Sequence, residues 1–173
     1  YSWKTKKRRF PKIKNIMEEK YRKGHFKGVL KVIEKLIDII PANRIYLGEK
    51  DLQQLKIIKD YFNINKIKTK IIRCKTIRDN NGLALSSRNK LLNNKNLKKA
   101  AAVIKFIKKI KFKNNSLSCN KKAIKKFLKI NKINFDYVEY INLKKFNVSK
   151  KQSYNMKIFI AFYINKIRLI DNI

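Results

Sequence analysis

Three short stretches of the chain carry side chains of the kind that handle phosphate or move protons. Gly48-Glu49-Lys50-Asp51 sets an ammonium between two carboxylates. It directly follows a short apolar run, Arg44-Ile45-Tyr46-Leu47, and directly precedes a helical pattern. In open α/β sheets ligands bind at that edge, and a helix N-terminus favours negative charge. Lys50 would face a phosphate there. The plain alternative is a glycine turn whose Asp51 caps the next helix. Gly82-Leu83-Ala84-Leu85-Ser86-Ser87-Arg88-Asn89 places two hydroxyls and a guanidinium after a glycine turn. Backbone N–H groups and Ser hydroxyls can hold phosphate oxygens while Arg88 offsets their charge; the plain alternative is a Ser cap on the following element. His25 is the single histidine, and a lone histidine is more often structural than catalytic. One His without clustered Cys gives no zinc site. There is no Ser-His-Asp set, no Walker loop and no dinucleotide glycine fingerprint.

These residues need elements to hold them. Between His25 and Ile40, Val29, Val32, Ile33, Leu36, Ile37 and Ile40 recur at three- and four-residue spacing, one face of a helix, and Pro41 ends the pattern. Residues 44–47 read as a buried strand, 51–62 as a helix with Leu55 and Ile58 inward, and 68–77 as a second strand. Strand, helix and strand in that order form the unit of a parallel sheet. After the turn at Asp79-Asn80-Asn81-Gly82, residues 96–111 and 121–130 read as helices, with 113–120 as a polar loop. Residues 135–141, 157–164 and 167–170 read as strands, the last two joined at Asn165-Lys166. The expected fold is therefore α/β over the first part, then α+β with a three-stranded antiparallel sheet. Residues 1–23 show little apolar periodicity and are expected to lack a core of their own.

The chain has 173 residues, with 46 Lys plus Arg against 11 Asp plus Glu, a formal net charge of +35. The hydrophobic fraction of 44% supports a packed core and argues against a wholly disordered chain. Four Gly and two Pro exclude collagen and linker readings, and two cysteines exclude a disulfide scaffold and suit a reducing compartment. The longest clean apolar run, 158–164, is too short to span a bilayer. Only eight of the 46 cations are Arg, the residue best suited to bidentate phosphate and base-edge recognition. The lysines are scattered among Ile and Asn, residues that share A/T-rich codons. Base composition and a selected polyanion surface both remain open as sources of the charge, and nonspecific adhesion to nucleic acid is expected in either case.

The order of the pieces is more specific than any one of them. Arg22-Lys23-Gly24-His25-Phe26-Lys27-Gly28-Val29, Gly48-Glu49-Lys50-Asp51-Leu52-Gln53-Gln54-Leu55, Gly82 to Asn89 and Arg168-Leu169-Ile170-Asp171-Asn172 follow one another. This series closely resembles the pantoate–β-alanine ligase (pantothenate synthetase) family, in register from about Ile16 to the last residue. The resemblance implies ATP-dependent joining of pantoate and β-alanine, a step toward coenzyme A. It proceeds through pantoyl adenylate and releases AMP and pyrophosphate, with Mg²⁺ as cofactor. It implies that residues 1–77 are the C-terminal part of a nucleotide-binding, Rossmann-like domain and that 78–173 form a smaller α+β domain.

Matched position by position, Gly48, Glu49, Lys50 and Asp51 correspond to one ATP-binding loop, with Lys50 on phosphate and Gly48 and Asp51 on ribose. Leu85, Ser86, Ser87 and Arg88 correspond to a second loop, on the triphosphate. Ile77 corresponds to a backbone contact to adenine and Gln54 to a pantoate-binding amide; Arg22 and His25 fall near the substrate pocket. No catalytic residue is assigned. The family's general-acid histidine lies in a His-x-Gly-His segment that nothing before His25 resembles, and no protein metal ligands are assigned. The resemblance further implies a cytoplasmic homodimer with no membrane contact. The chain is expected to be part of the enzyme and inactive alone. It begins with Tyr1 rather than Met, which leaves a mature terminus or a fragment open. The rival reading is a basic RNA- or polyanion-binding protein derived from a degraded ligase, motivated by the +35 charge.

Overall fold

The computed structural model describes residues 8–111, 116–149 and 151–173. The chain divides into two compact units, one running through Lys75 and one from Thr76.

In the first unit a one-turn helix α1 (Glu18–Tyr21) leads into α2 (His25–Ile39). Then follow strand β1 (Arg44–Gly48), a 3₁₀ turn (Glu49–Asp51), α3 (Leu52–Ile64) and β2 (Lys70–Cys74). β1 and β2 pair in parallel, Arg44 opposite Lys70 through Gly48 opposite Cys74. Phe26, Leu30 and Ile33 of α2 interlock with Ile57, Ile58, Tyr61 and Phe62 of α3, and Ile45, Leu47 and Ile71 pack on from the strands. Strand alternation explains which residues do so: Ile45 and Leu47 point to this core and Tyr46, between them, is exposed.

Two expectations need correction here. α2 buries the Phe26–Leu30–Ile33 seam with Val29 and Ile37 beside it, while Val32, Leu36 and Ile40 stay exposed. The apolar positions form two stripes, and α3 meets only one. β2 spans 70–74 rather than 68–77, because β1 offers only five residues to pair with; Ile77 lies outside it, 70% exposed. As expected, the described segment before α1 builds no core of its own; it is anchored on the α2–α3 core. Phe10 stacks on Tyr61 with centroids 5.8 Å apart, Ile13 packs on the α2–α3 cluster, and Met17 is buried. Arg8 grips Asp38 through both guanidinium nitrogens, and Arg9 exchanges two hydrogen bonds with Asn65. A search for helical or alternating periodicity misses contacts of this kind.

The second unit opens with a tight turn closed by the Arg78–Ala84 bridge, followed by a 3₁₀ turn (Ser87–Leu91). Helices α4 (Asn94–Lys111) and α5 (Leu117–Ile130) come next. Strands β3 (Phe135–Asn142), β4 (Asn147–Val148), β5 (Met156–Ile164) and β6 (Ile167–Asn172) complete it. The sheet is antiparallel in the order β4-β3-β5-β6. It has four strands where three were expected. β4 is two residues long, too short for a period-2 pattern to register, and exists through its pairing with Ile141 and Asn142. α5 starts at Leu117, four residues before the expected start, because the Ser116 hydroxyl accepts the Cys119 N–H and caps it. The rest of the expected 113–120 loop, residues 113–115, lies outside the described residues. Ala100, Val103, Ile104 and Ile107 of α4 pack with Ile124 and Leu128 of α5 on the inner faces of β3 and β5, and Phe106 stacks on Phe127 at 4.1 Å.

Candidate functional site

In the first unit, the parallel strand β1 ends at Gly48 and the chain turns through Glu49–Asp51 into α3. Gly48 has φ −71°, a conformation open to any residue, and a Cβ added there would meet nothing within 4 Å among the described residues. The backbone turn does not demand glycine at this position. A bare backbone beside open space suits the close approach of a ligand. Lys50 lies at the N-terminal approach to the 13-residue α3, its ammonium 3.7 Å from Asp51 Oδ1. Glu49 pairs with Arg73 of β2. The expected Asp51 cap does not form: Asp51 occupies the N-cap position without a side-chain bond to the helix. The preceding 3₁₀ turn sets its backbone at φ −99°, ψ 50°, away from the extended geometry of a capping residue.

The two glutamines of α3 separate cleanly. Gln53 is buried; its Oε1 accepts the Glu18 N–H at 3.1 Å and its Nε2 donates to the Ile16 carbonyl at 3.0 Å. It fastens the start of α1 to α3. Gln54 is half-buried, and its amide has no hydrogen-bond partner among the described residues. An amide that both donates and accepts is thus left available to a ligand.

His25 opens α2, and Arg22 Nη2 lies 3.2 Å from its Nδ1. Arg22 Nη1 is 3.4 Å from Oε2 of the buried Glu18 carboxylate. Burial first, and the Arg22 charge second, push the imidazole below its ordinary pKa; the carboxylates of Glu18, Glu19 and Asp51 oppose this. His25, Arg22 and Asp51 therefore share one electrostatic neighbourhood.

In the second unit, Asp79 Oδ1 accepts the N–H groups of Asn81 and Leu83, and Gly82 takes φ +82°, where a side chain would be strained. Leu83 and Ala84 are buried, whereas Leu85, Ser87 and Arg88 are exposed. Ser86 Oγ accepts the Arg88 N–H at 3.3 Å, so the capping alternative holds for Ser86. Among the described residues Ser87 is in no such bond, and the Arg88 guanidinium reaches only the Arg168 carbonyl, at 3.5 Å. Ile77 accepts the Leu85 N–H through its carbonyl at 2.9 Å, tying its backbone to the same loop.

Arg78 escaped the sequence reading. Its guanidinium holds the buried Asp171 carboxylate with both nitrogens, at 2.6 and 3.0 Å, and reaches the carbonyls of Gly82 and Asn172. This bolts the loop to β6. The Arg168–Asn172 run serves the same frame: Arg168 donates to Asp136 at 2.8 Å and Asn172 Oδ1 accepts from Lys157 at 2.8 Å. The signal was a lone Asp in an apolar strand, since a buried carboxylate needs a cation. The first unit thus gathers Gly48–Asp51, Gln54, Arg22 and His25, and the second gathers Ile77 with Leu85–Arg88.

Comparison with known proteins locates this arrangement. The family model described as pantoate-beta-alanine ligase matches residues 3–173. The chain is 40% identical over 170 residues to the pantothenate synthetase of Azobacteroides pseudotrichonymphae, covering 95% of this chain and 61% of that protein. It is 41% identical over 160 residues to that of Francisella tularensis subsp. mediasiatica, covering 92% and 54%. The Thermus thermophilus enzyme superposes with a TM-score of 0.87 at 25% identity, over all of this chain and 65% of that one. The Francisella tularensis ligase, solved in complex with beta-gamma ATP and beta-alanine, gives 0.75 at 38% identity, over 98% and 58%. The chain thus spans less than two thirds of the length of each of these relatives. With a family match over nearly every residue, the chain belongs to the pantoate-beta-alanine ligase family.

Proposed function

We propose that this chain supplies the ATP-gripping and pantoate-contacting part of a pantothenate synthetase, which joins pantoate to β-alanine through pantoyl adenylate and releases AMP and pyrophosphate. The observation that carries the reading is the family match together with the loop at the end of β1. There a glycine with open space above it and Lys50 stand at the start of α3. A carboxylate is a poor acyl donor, and adenylation gives it a good leaving group. Attack on the α-phosphorus needs the triphosphate fixed and its charge offset by preorganised cations.

Lys50 and Arg88 take that electrostatic role, Ser86 and Ser87 with their backbone N–H groups hold phosphate oxygens, and Gly48 and Asp51 hold ribose. The Ile77 backbone meets adenine, and Gln54 binds pantoate through its amide. Mg²⁺ neutralises phosphate charge when bound with ATP. Bound with ATP, the ion would take phosphate oxygens and water as ligands, a common arrangement for Mg²⁺. Homodimer formation rests on the family alone. A cytoplasmic setting is supported by the two free, exposed cysteines.

The test joins the N-terminal portion of a related synthetase ahead of this chain and assays pantothenate formation. Turnover that depends on ATP, pantoate and β-alanine, and is absent from the 173-residue chain alone, is the expected result. A joined, folded enzyme that makes no pantothenate and releases no pyrophosphate would refute the reading.

A further inference from the structure

A guanidinium carries donors and no acceptor. With Arg22 Nη2 3.2 Å from His25 Nδ1, that nitrogen must present a lone pair, and the ring's one proton must sit on Nε2. The guanidinium is itself steered from behind, since Nη1 faces Oε2 of the buried Glu18 at 3.4 Å. Glu18 is fixed in turn: its N–H is held by Gln53 Oε1 and its carbonyl accepts the Arg22 N–H at 2.7 Å. The neighbouring Glu19 is turned away to the Gly24 N–H. The chain enters α1 through Met17 at φ 48°, an unusual conformation for a side-chain-bearing residue that this network over-determines. So a rigid line runs from α3 through Gln53, Glu18 and Arg22 to one face of an imidazole at the start of α2.

We propose that Arg22 is a positioning residue that locks His25 as the neutral Nε2–H tautomer, making it a single uncharged N–H donor for a carboxylate or hydroxyl oxygen of the substrate held beside the Gly48–Asp51 loop. An uncharged donor is useful in such a place. It binds an anionic oxygen without adding another cation to a loop that already carries Lys50, and it does not protonate and swing away as neutral pH is approached from above. The charged groups whose fields act on the ring are Arg22, Glu18, Glu19 and Asp51. The first disfavours the imidazolium and the three carboxylates favour it, so removing Arg22 should release the ring to protonate. The substrate clause rests on the ligase reading; the tautomer clause does not.

His25 is the only histidine, so long-range ¹H–¹⁵N correlation on the ¹⁵N-labelled chain reads this one ring without assignment. Wild type should show a pyridine-type Nδ1 and a pyrrole-type Nε2 at neutral pH. Arg22→Met should mix the tautomers and move the ring's titration upward. Arg22→Gln, which keeps an N–H donor and loses the charge, should keep the tautomer while the titration still rises, and it serves if the Met variant does not fold. A wild-type ring protonated on Nδ1, or a tautomer and titration unmoved in either variant, overturns the proposal. In the joined enzyme, His25→Leu should raise a substrate KM by ~10-fold, the worth of one such hydrogen bond, with His25→Gln recovering most of it. Unchanged KM values with the tautomer intact would overturn the substrate clause alone. A joined enzyme without activity but with the expected tautomer would instead overturn the ligase reading.

Discussion

Gln53 and Gln54 are neighbours in α3 whose amides meet different surroundings. Gln53 spends both ends of its amide on the backbone of residues 16–18, buried from water. Replacing it with Ala leaves a buried N–H and a buried carbonyl unpaired, a loss of about 2 kcal/mol in a denaturant titration. Gln54→Ala, by contrast, should leave that titration within ~0.5 kcal/mol and raise the KM for pantoate in the joined enzyme. A reversed pattern would exchange the roles assigned to the two residues. Lys50→Ala and Arg88→Ala each remove a cation from phosphate. Each should weaken ATP use by ~10- to 100-fold, the range for a hydrogen bond to a charged group, with little change in unfolding midpoint. Proportionate loss of stability and activity would make them structural. His25 also predicts a pH effect of definite sign. Its folded pKa is depressed, so its contribution to stability is fully present above its ordinary value of 6.5 and is lost as pH falls through the lower folded value. His25→Gln should therefore flatten the acid side of the stability curve, measured by thermal unfolding across pH; superimposable curves would contradict this.

At the scale of elements, the second loop depends on a bond that no local pattern announces. Arg78 and the buried Asp171 are 93 residues apart and tie the Gly82 turn to β6. Removing one partner strands the other, and Asp171→Ala should cost about 3 kcal/mol, the lower end for breaking a buried pair. It should also loosen Ser86–Arg88, so that the KM for ATP rises in parallel. An unfolding midpoint equal to wild type would show the pair to be unimportant. Tyr61 makes a similar point in the first unit. It is fully buried with its hydroxyl donating to Glu34 at 2.9 Å, and burial first, then that bond, push its pKa up to about 12. The stability it lends is complete below its ordinary value of 10 and is lost as pH rises toward 12.

What the sequence disclosed follows the same division. The strand–helix–strand unit, the α4 and α5 helices and the β5–β6 hairpin each carry a periodic signal over seven or more residues or a clear turn, and they stand within a few residues of expectation. The missed features are carried by partners far apart in the chain. The two-residue β4, the packing of residues 8–17 and the Arg78–Asp171 bolt are set by tertiary pairing, which leaves no local period. The phosphate contacts proposed for Lys50, Ser87 and Arg88 rest on side chains whose chemistry is unusual for a turn. The supports behind them, Gln53 and Arg78, look like ordinary polar residues until the fold shows what they hold.

For the whole molecule, the charge is the property that function has not absorbed. With +35 on 173 residues, adhesion to RNA should occur at low salt. If it is purely electrostatic, with about six phosphates neutralised, affinity should fall by ~1,000-fold between about 50 and 200 mM salt. Tight binding that survives high salt would instead revive a dedicated polyanion-binding role. The central claim is that the loop around Lys50, where β1 meets α3, grips the phosphates of ATP. Its most direct test is a crystal structure of the joined enzyme with a non-hydrolysable ATP analogue. Lys50 on a phosphate of the bound triphosphate is the predicted result. A bound nucleotide that leaves Lys50 facing bulk solvent would contradict the account.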